Sequence, residues 1–66
     1  MNTERKFLAA LARAHRLRAE AFRAEAEAAR LNPWTPAHHN RTRAEQCEAS
    51  AAHYLDMADE TEGEMA

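Results

Sequence analysis

Sixty-six residues, of which 17 are alanine, one is glycine and none is valine or isoleucine, exclude a β-rich fold and a second domain. A chain this short buries too little apolar surface to offset its conformational entropy comfortably, and such chains usually need disulfides, a metal or a second chain. The single cysteine, Cys47, excludes an internal disulfide and fits a reducing cytosol, and a formal net charge of −2 gives no general attraction to nucleic acid. The N-terminus does not read as a signal peptide, because the apolar run after Arg5 and Lys6 is repeatedly broken by Arg and His. No stretch approaches the roughly 20 apolar residues that span a bilayer.

The first predicted element is a helix over residues 3–31. Asn2 or Thr3 can cap its free N–H groups, and Glu4 lies favourably near the positive end of the dipole. Along this helix Ala10, Ala14, Leu17, Ala21, Ala24, Ala28 and Leu31 recur with four-three spacing. That spacing puts all seven on one stripe and predicts the seam against an antiparallel second helix. A mixed stripe runs beside it: Leu8, Leu11, His15, Arg18, Phe22, Glu25 and Ala29. On the outer face, charges alternate at three- or four-residue spacing in Arg16/Glu20, Arg23/Glu27 and Glu27/Arg30.

The next element is a turn over residues 32–36, where Pro33 disfavours helical conformation at Asn32 and lacks a backbone donor. Thr35-Pro36 then reads as N-cap and first-turn proline of a second helix over residues 37–61. Thr42 with Glu45 forms a competing capping box. In helix 2 the stripe is Ala37, Ala44, Cys47, Ala51, Tyr54 and Ala58, with Leu55 beside it. With the turn centred on Trp34, facing residue numbers sum to roughly 68, which sets Ala14 opposite Tyr54, Leu17 opposite Ala51 and Ala21 opposite Cys47. Residues 62–66 read as a frayed acidic tail.

The fold class that follows is all-α, a single helical-hairpin domain. Charge supports the pairing of its halves: residues 1–33 carry seven Lys/Arg against four Glu, and residues 34–66 two Arg against seven Asp/Glu. One alanine-lined contact contributes little burial at about 25 cal/mol per Å2. Phe7, Leu8, Leu11, Phe22 and Leu55 are therefore read as a dimer interface that joins two hairpins into a four-helix bundle.

No residue pattern calls for catalysis, a cofactor or a metal. The four histidines include no His-x-x-x-His pair, and adjacent His38 and His39 point roughly 100° apart on a helix. Cys47 falls in the seam, with no base on a neighbouring turn to activate it. The carboxylates from Asp56 to Glu64 crowd a solvated helix end without an apolar cleft. Candidate partner-binding residues are Trp34, a tryptophan between two prolines in a five-residue turn that is either a lid over the hairpin's end or an exposed anchor, together with His38, His39, Phe22 and Arg18. Arg16, Arg23 and Arg30 form an arginine face that a nucleic-acid backbone could meet, with Glu20 and Glu27 lying among them.

In size, hairpin layout and its Ala-rich, acidic-tailed character, the whole chain resembles the small phage-encoded helical-hairpin inhibitors of host regulators, the quorum-sensing anti-activators. That resemblance implies a homodimer in the cytoplasm of a bacterial host, with a host transcription factor or machine as partner. The chain also resembles the plasmid copy-number Rop family in length and hairpin plan. That resemblance implies a dimeric four-helix bundle that binds paired RNA loops through helix 1, at Arg16, Arg23 and Arg30. The proline-containing turn departs from the Rop pattern. A purely structural oligomerisation unit is the third expectation.

Overall fold

The structure, a computed structural model, describes residues 2–65. Two helices, α1 (Thr3–Leu31) and α2 (Ala37–Met65), pack along their whole length as an antiparallel hairpin, and the described residues include no strand. Each helix has 29 residues, or about 44 Å at 1.5 Å per residue. The radius of gyration is 15.3 Å, against roughly 11 Å for a compact domain of this length. The molecule is a rod of 52 × 14 × 9 Å with a single internal contact surface.

That surface is built from alanine. Ala12, Ala19 and Ala26 of α1 and Ala44, Ala51 and Ala58 of α2 are buried, at seven-residue intervals on both helices. Alanine at every seventh position removes the side-chain bulk that otherwise holds helix axes about 8–10 Å apart. Between the alanines of α2 stand Cys47, Tyr54 and Thr61, giving an unbroken four-three series from Asn40 to Met65. Between those of α1 stand Leu8, His15, Phe22 and Ala29, all buried or half-buried. At the turn end Ala26, Ala44 and Cys47 form a closed cluster that Phe22 and Ala29 cover.

The seam on α1 is therefore not the expected one. Leu17, Ala21, Ala24, Ala28 and Leu31 are exposed, as is Ala10, and Ala14 is only half-buried. The reason lies in α1 itself, which carries two four-three series offset by two residues. The series that faces α2 alternates bulky residues with alanine, and two of its bulky members, His15 and Phe22, meet an aromatic partner. The ring of Tyr54 stacks on His15 (centroids 5.9 Å apart) and on Phe22 (5.7 Å), which lie one heptad apart on α1. The expected seam offers no aromatic residue opposite Tyr54. His15, expected on a mixed stripe, is buried as a result.

Both helix ends also differ from expectation. Asn2 occupies the N-cap position of α1 without a side-chain cap bond; its carbonyl accepts from the Lys6 N–H at 3.0 Å. The acidic end is helical through Met65 and not frayed after Thr61. Thr61 is buried in the seam with its hydroxyl donating to the Met57 carbonyl at 2.8 Å. Arg16 pairs with Glu62, and Arg5 donates to the Met65 carbonyl at 3.0 Å. Arg16 and Arg5 of α1 thus satisfy one carboxylate and a terminal carbonyl at this end of α2. Ala66, the last residue of the expected tail, lies outside the described residues.

Because the alanine seam admits no added volume, Ala51→Leu is expected to cost about 1–3 kcal/mol. Ala49→Leu, on the exposed side of α2, should change stability by less than about 0.5 kcal/mol. Urea unfolding of both variants at one protein concentration, followed by far-UV circular dichroism, checks the contrast.

Candidate functional site

The connection between the helices is short and internally bonded. Asn32 ends α1, and its Oδ1 accepts the Trp34 backbone N–H at 2.9 Å, which tightens the turn. Asn40, one turn into α2, reaches back: its Nδ2 donates to the Asn32 carbonyl at 2.8 Å. Its Oδ1 accepts from the Thr35 hydroxyl. The Pro36 carbonyl accepts the Asn40 N–H at 3.1 Å and opens α2. Thr42 is inside α2, its hydroxyl donating to the His38 carbonyl at 3.0 Å, so the capping-box start there is not used.

Held on this turn, Trp34 is 89% exposed. It is not a lid over the end of the hairpin. Pro33 and Pro36 restrict the backbone on either side. His38 and His39 are exposed in the first turn of α2, their rings edge-to-face at 4.3 Å. Beside them opens a shallow groove of about 440 Å3, lined among others by Ala28, Asn32, Thr35, His39 and Arg43. Trp34, His38 and His39 thus share one end of the rod.

Phe22 and Arg18 do not join them. Both are engaged with Tyr54 in mid-rod: Phe22 stacks on its ring, and the Arg18 guanidinium carbon lies 5.7 Å from the ring centroid. His53 meets the same ring edge-on at 5.4 Å. Tyr54 is half-buried and forms the hub of this cluster.

The arginine face is an edge of the hairpin. Arg16 pairs with Glu62, and Arg30 with Glu48 at 2.7 Å, so two of the three arginines are engaged with α2 carboxylates. The hydrogen bond that Arg16 donates to Glu62 raises the Arg16 pKa above its ordinary value. Arg23 lies between these pairs, against Glu48, Ala52 and Leu55. Cys47 is a buried free thiol. Among the described residues, no group of three or more His, Cys, Asp or Glu is placed to hold a metal ion, and no helix is long and apolar enough to cross a membrane.

The residues expected at a dimer interface do not share a face. Leu8 and Phe22 belong to the α2 seam, and Leu11 and Leu55 are half-buried at its edges. Phe7 points away from α2, 61% exposed. It continues the series that was expected to be the seam: Phe7, Ala10, Ala14, Leu17, Ala21, Ala24, Ala28, Leu31. Among the described residues, Phe7, Leu17 and Leu31 are, with Trp34, the exposed large hydrophobics. The spacing that reveals this stripe was legible. Its exposure was not, because nothing in the spacing says which of two seams α2 covers.

No family model matches the chain, and neither a curated protein nor a solved structure matches it.

The turn network makes a prediction of its own. Asn40→Ala removes two side-chain hydrogen bonds at a half-buried position and should cost about 1–2 kcal/mol. Trp34 should also gain local motion, read as lower fluorescence anisotropy, while α1 and α2 keep their helical signal.

Proposed function

We propose that this chain is a small non-enzymatic protein–protein interaction module, a phage or mobile-element accessory protein that binds and modulates a host protein such as a transcriptional regulator. The observation that carries this reading is Trp34, presented to solvent on a turn held by its own hydrogen bonds. Tryptophan is enriched among the few residues that dominate binding energy, and an anchor fixed in advance loses little freedom on docking. His38, His39 and the neighbouring groove supply polar and shape features around it. The resemblance in plan to phage-encoded hairpin inhibitors supports the choice of a host protein. The buried free thiol of Cys47 fits a reducing bacterial cytoplasm.

A second reading, a structural oligomerisation unit, draws support from the uncovered apolar stripe of α1. The Rop-like reading draws none, since Arg16 and Arg30 are paired with carboxylates of the same chain.

A tagged chain is expected to retain one dominant protein from nuclease-treated bacterial lysate. Trp34→Ala should weaken that complex by roughly 30-fold or more while leaving the helical content unchanged. Capture that Trp34→Ala does not affect, or that disappears with nuclease, contradicts the reading.

A further inference from the structure

The two helices of the rod are unlike each other on their outer sides. The exposed positions of α2 are mostly polar: Thr42, Glu45, Asp56, Asp59 and Glu60 stand among single alanines. The outer side of α1 carries the series from Phe7 to Leu31, 25 residues or more than three heptads of uninterrupted apolar spacing. At 100° per residue, this stripe lies about 160° round α1 from the alanine seam. It extends for roughly 36 Å. Phe7 is 61%, Leu17 58% and Leu31 73% exposed. An apolar surface this long and continuous is rarely left to water. Because it lies nearly opposite α2, a further helix can cover it without displacing the hairpin.

The charges that flank the stripe say what kind of helix. On one side run Lys6, Arg13, Glu20 and Glu27, a heptad row that changes sign at its middle. Such a row is complementary to itself when reversed. Laid antiparallel on a second copy, it sets Lys6 against the other chain's Glu27, and Arg13 against its Glu20. The same offset sets Phe7 opposite Ala24, Ala10 opposite Ala21, and Leu17 opposite Ala14. Neither Phe7 nor Leu17 then meets a large residue, and the alanines admit close approach. Laid parallel, the flanking positions pair Arg13 with Arg18 and Glu20 with Glu25, like charge against like. The opposite flank contributes less, since Arg18 lies over Tyr54 and Glu25 faces Arg43 of α2 at 4.0 Å.

We infer that a second copy of this chain covers this stripe from Phe7 to Ala24, α1 against α1 and antiparallel, about a two-fold axis. The dimer is then a row of helices in the order α2, α1, α1, α2. It is not a square bundle around a common core. The contact is isologous, so it closes on itself, and of the stripe's large residues only Leu31, beside the turn, lies beyond the paired span. It also leaves the Trp34 turns at opposite ends of the pair. This inference rests on α1 alone and is independent of what Trp34 binds.

Sedimentation equilibrium of the full chain, with three variants, tests it. The expected mass is twice the 7.5 kDa of one chain. Leu17→Glu, on a side chain that α2 does not cover, should weaken the dimer on the order of 100-fold with far-UV circular dichroism still helical. Arg13→Glu should weaken it by roughly tenfold, and adding Glu20→Arg to Arg13→Glu should restore it. Arg13 and Glu20 are about 10 Å apart along one helix, so rescue comes only from contact between chains. A wild-type mass of 7.5 kDa at about 100 μM overturns the inference, as does a dimer that Leu17→Glu leaves intact. A dimer that Arg13→Glu strengthens, or that the double variant fails to restore, overturns the antiparallel arrangement.

Discussion

Alanine at every seventh residue of both helices is the constraint on which this molecule depends. Six such alanines line the surface between the two helices, and with so little side-chain volume between them the helices can pack closely over their full length. The cost of that design is a small apolar yield, because a buried methyl removes little surface from water. What supplements it is distributed along the rod. Tyr54 gathers His15 and Phe22 into one stack at mid-length. Ala26, Ala44 and Cys47 close the turn end. Arg5, Arg16 and Arg30 tie the edges to acids and a terminal carbonyl of α2. These edge pairs are exposed, so each stabilises only slightly in water; together they define which residues face each other.

The same constraint explains how much of the fold was legible in the residues. An all-helical hairpin followed from the absence of valine and isoleucine and from the proline-flanked turn. The seam of α2 followed from Ala44 onward, since Ala44, Cys47, Ala51, Tyr54 and Ala58 form the one apolar series that helix possesses, while Ala37, expected at its head, is exposed. On α1 the pattern is degenerate. Two four-three series satisfy the same periodicity, and the more uniformly apolar one is the wrong choice for α2. Burial of His15 was the least legible feature, because a histidine in a mixed stripe gains its place only through Tyr54, a partner 39 positions away in sequence. The helical end from Glu62 to Met65 was equally hidden, for an acidic tail reads as frayed until the arginines opposite it are known.

The candidate sites show the same division. Trp34 stood out by its residue type and its prolines as either a lid or an anchor, and the choice between the two depends on how Asn32 and Asn40 bond the turn. Arg16, Arg23 and Arg30 stood out as a basic face, and became an edge of the hairpin once Glu48 and Glu62 came opposite. The outer stripe of α1 had been assigned to the inside of the hairpin. Its release to the surface gives the rod two separate features, an aromatic end and an apolar flank. They are separate enough that one chain can associate with its own kind along the flank and still present Trp34 at the tip.

The central claim is that α2 sits on the alanine series containing Ala12, Ala19 and Ala26, and not on the series containing Ala14 and Ala21. Nuclear Overhauser contacts from the Tyr54 ring in isotopically labelled protein decide between them. The structure requires contacts from Tyr54 to Phe22 and to His15, and contacts between Cys47 and Ala26. Contacts from Tyr54 to Ala14 and from Cys47 to Ala21, without those to Phe22 and Ala26, would contradict it and return the outer stripe to the inside of the hairpin.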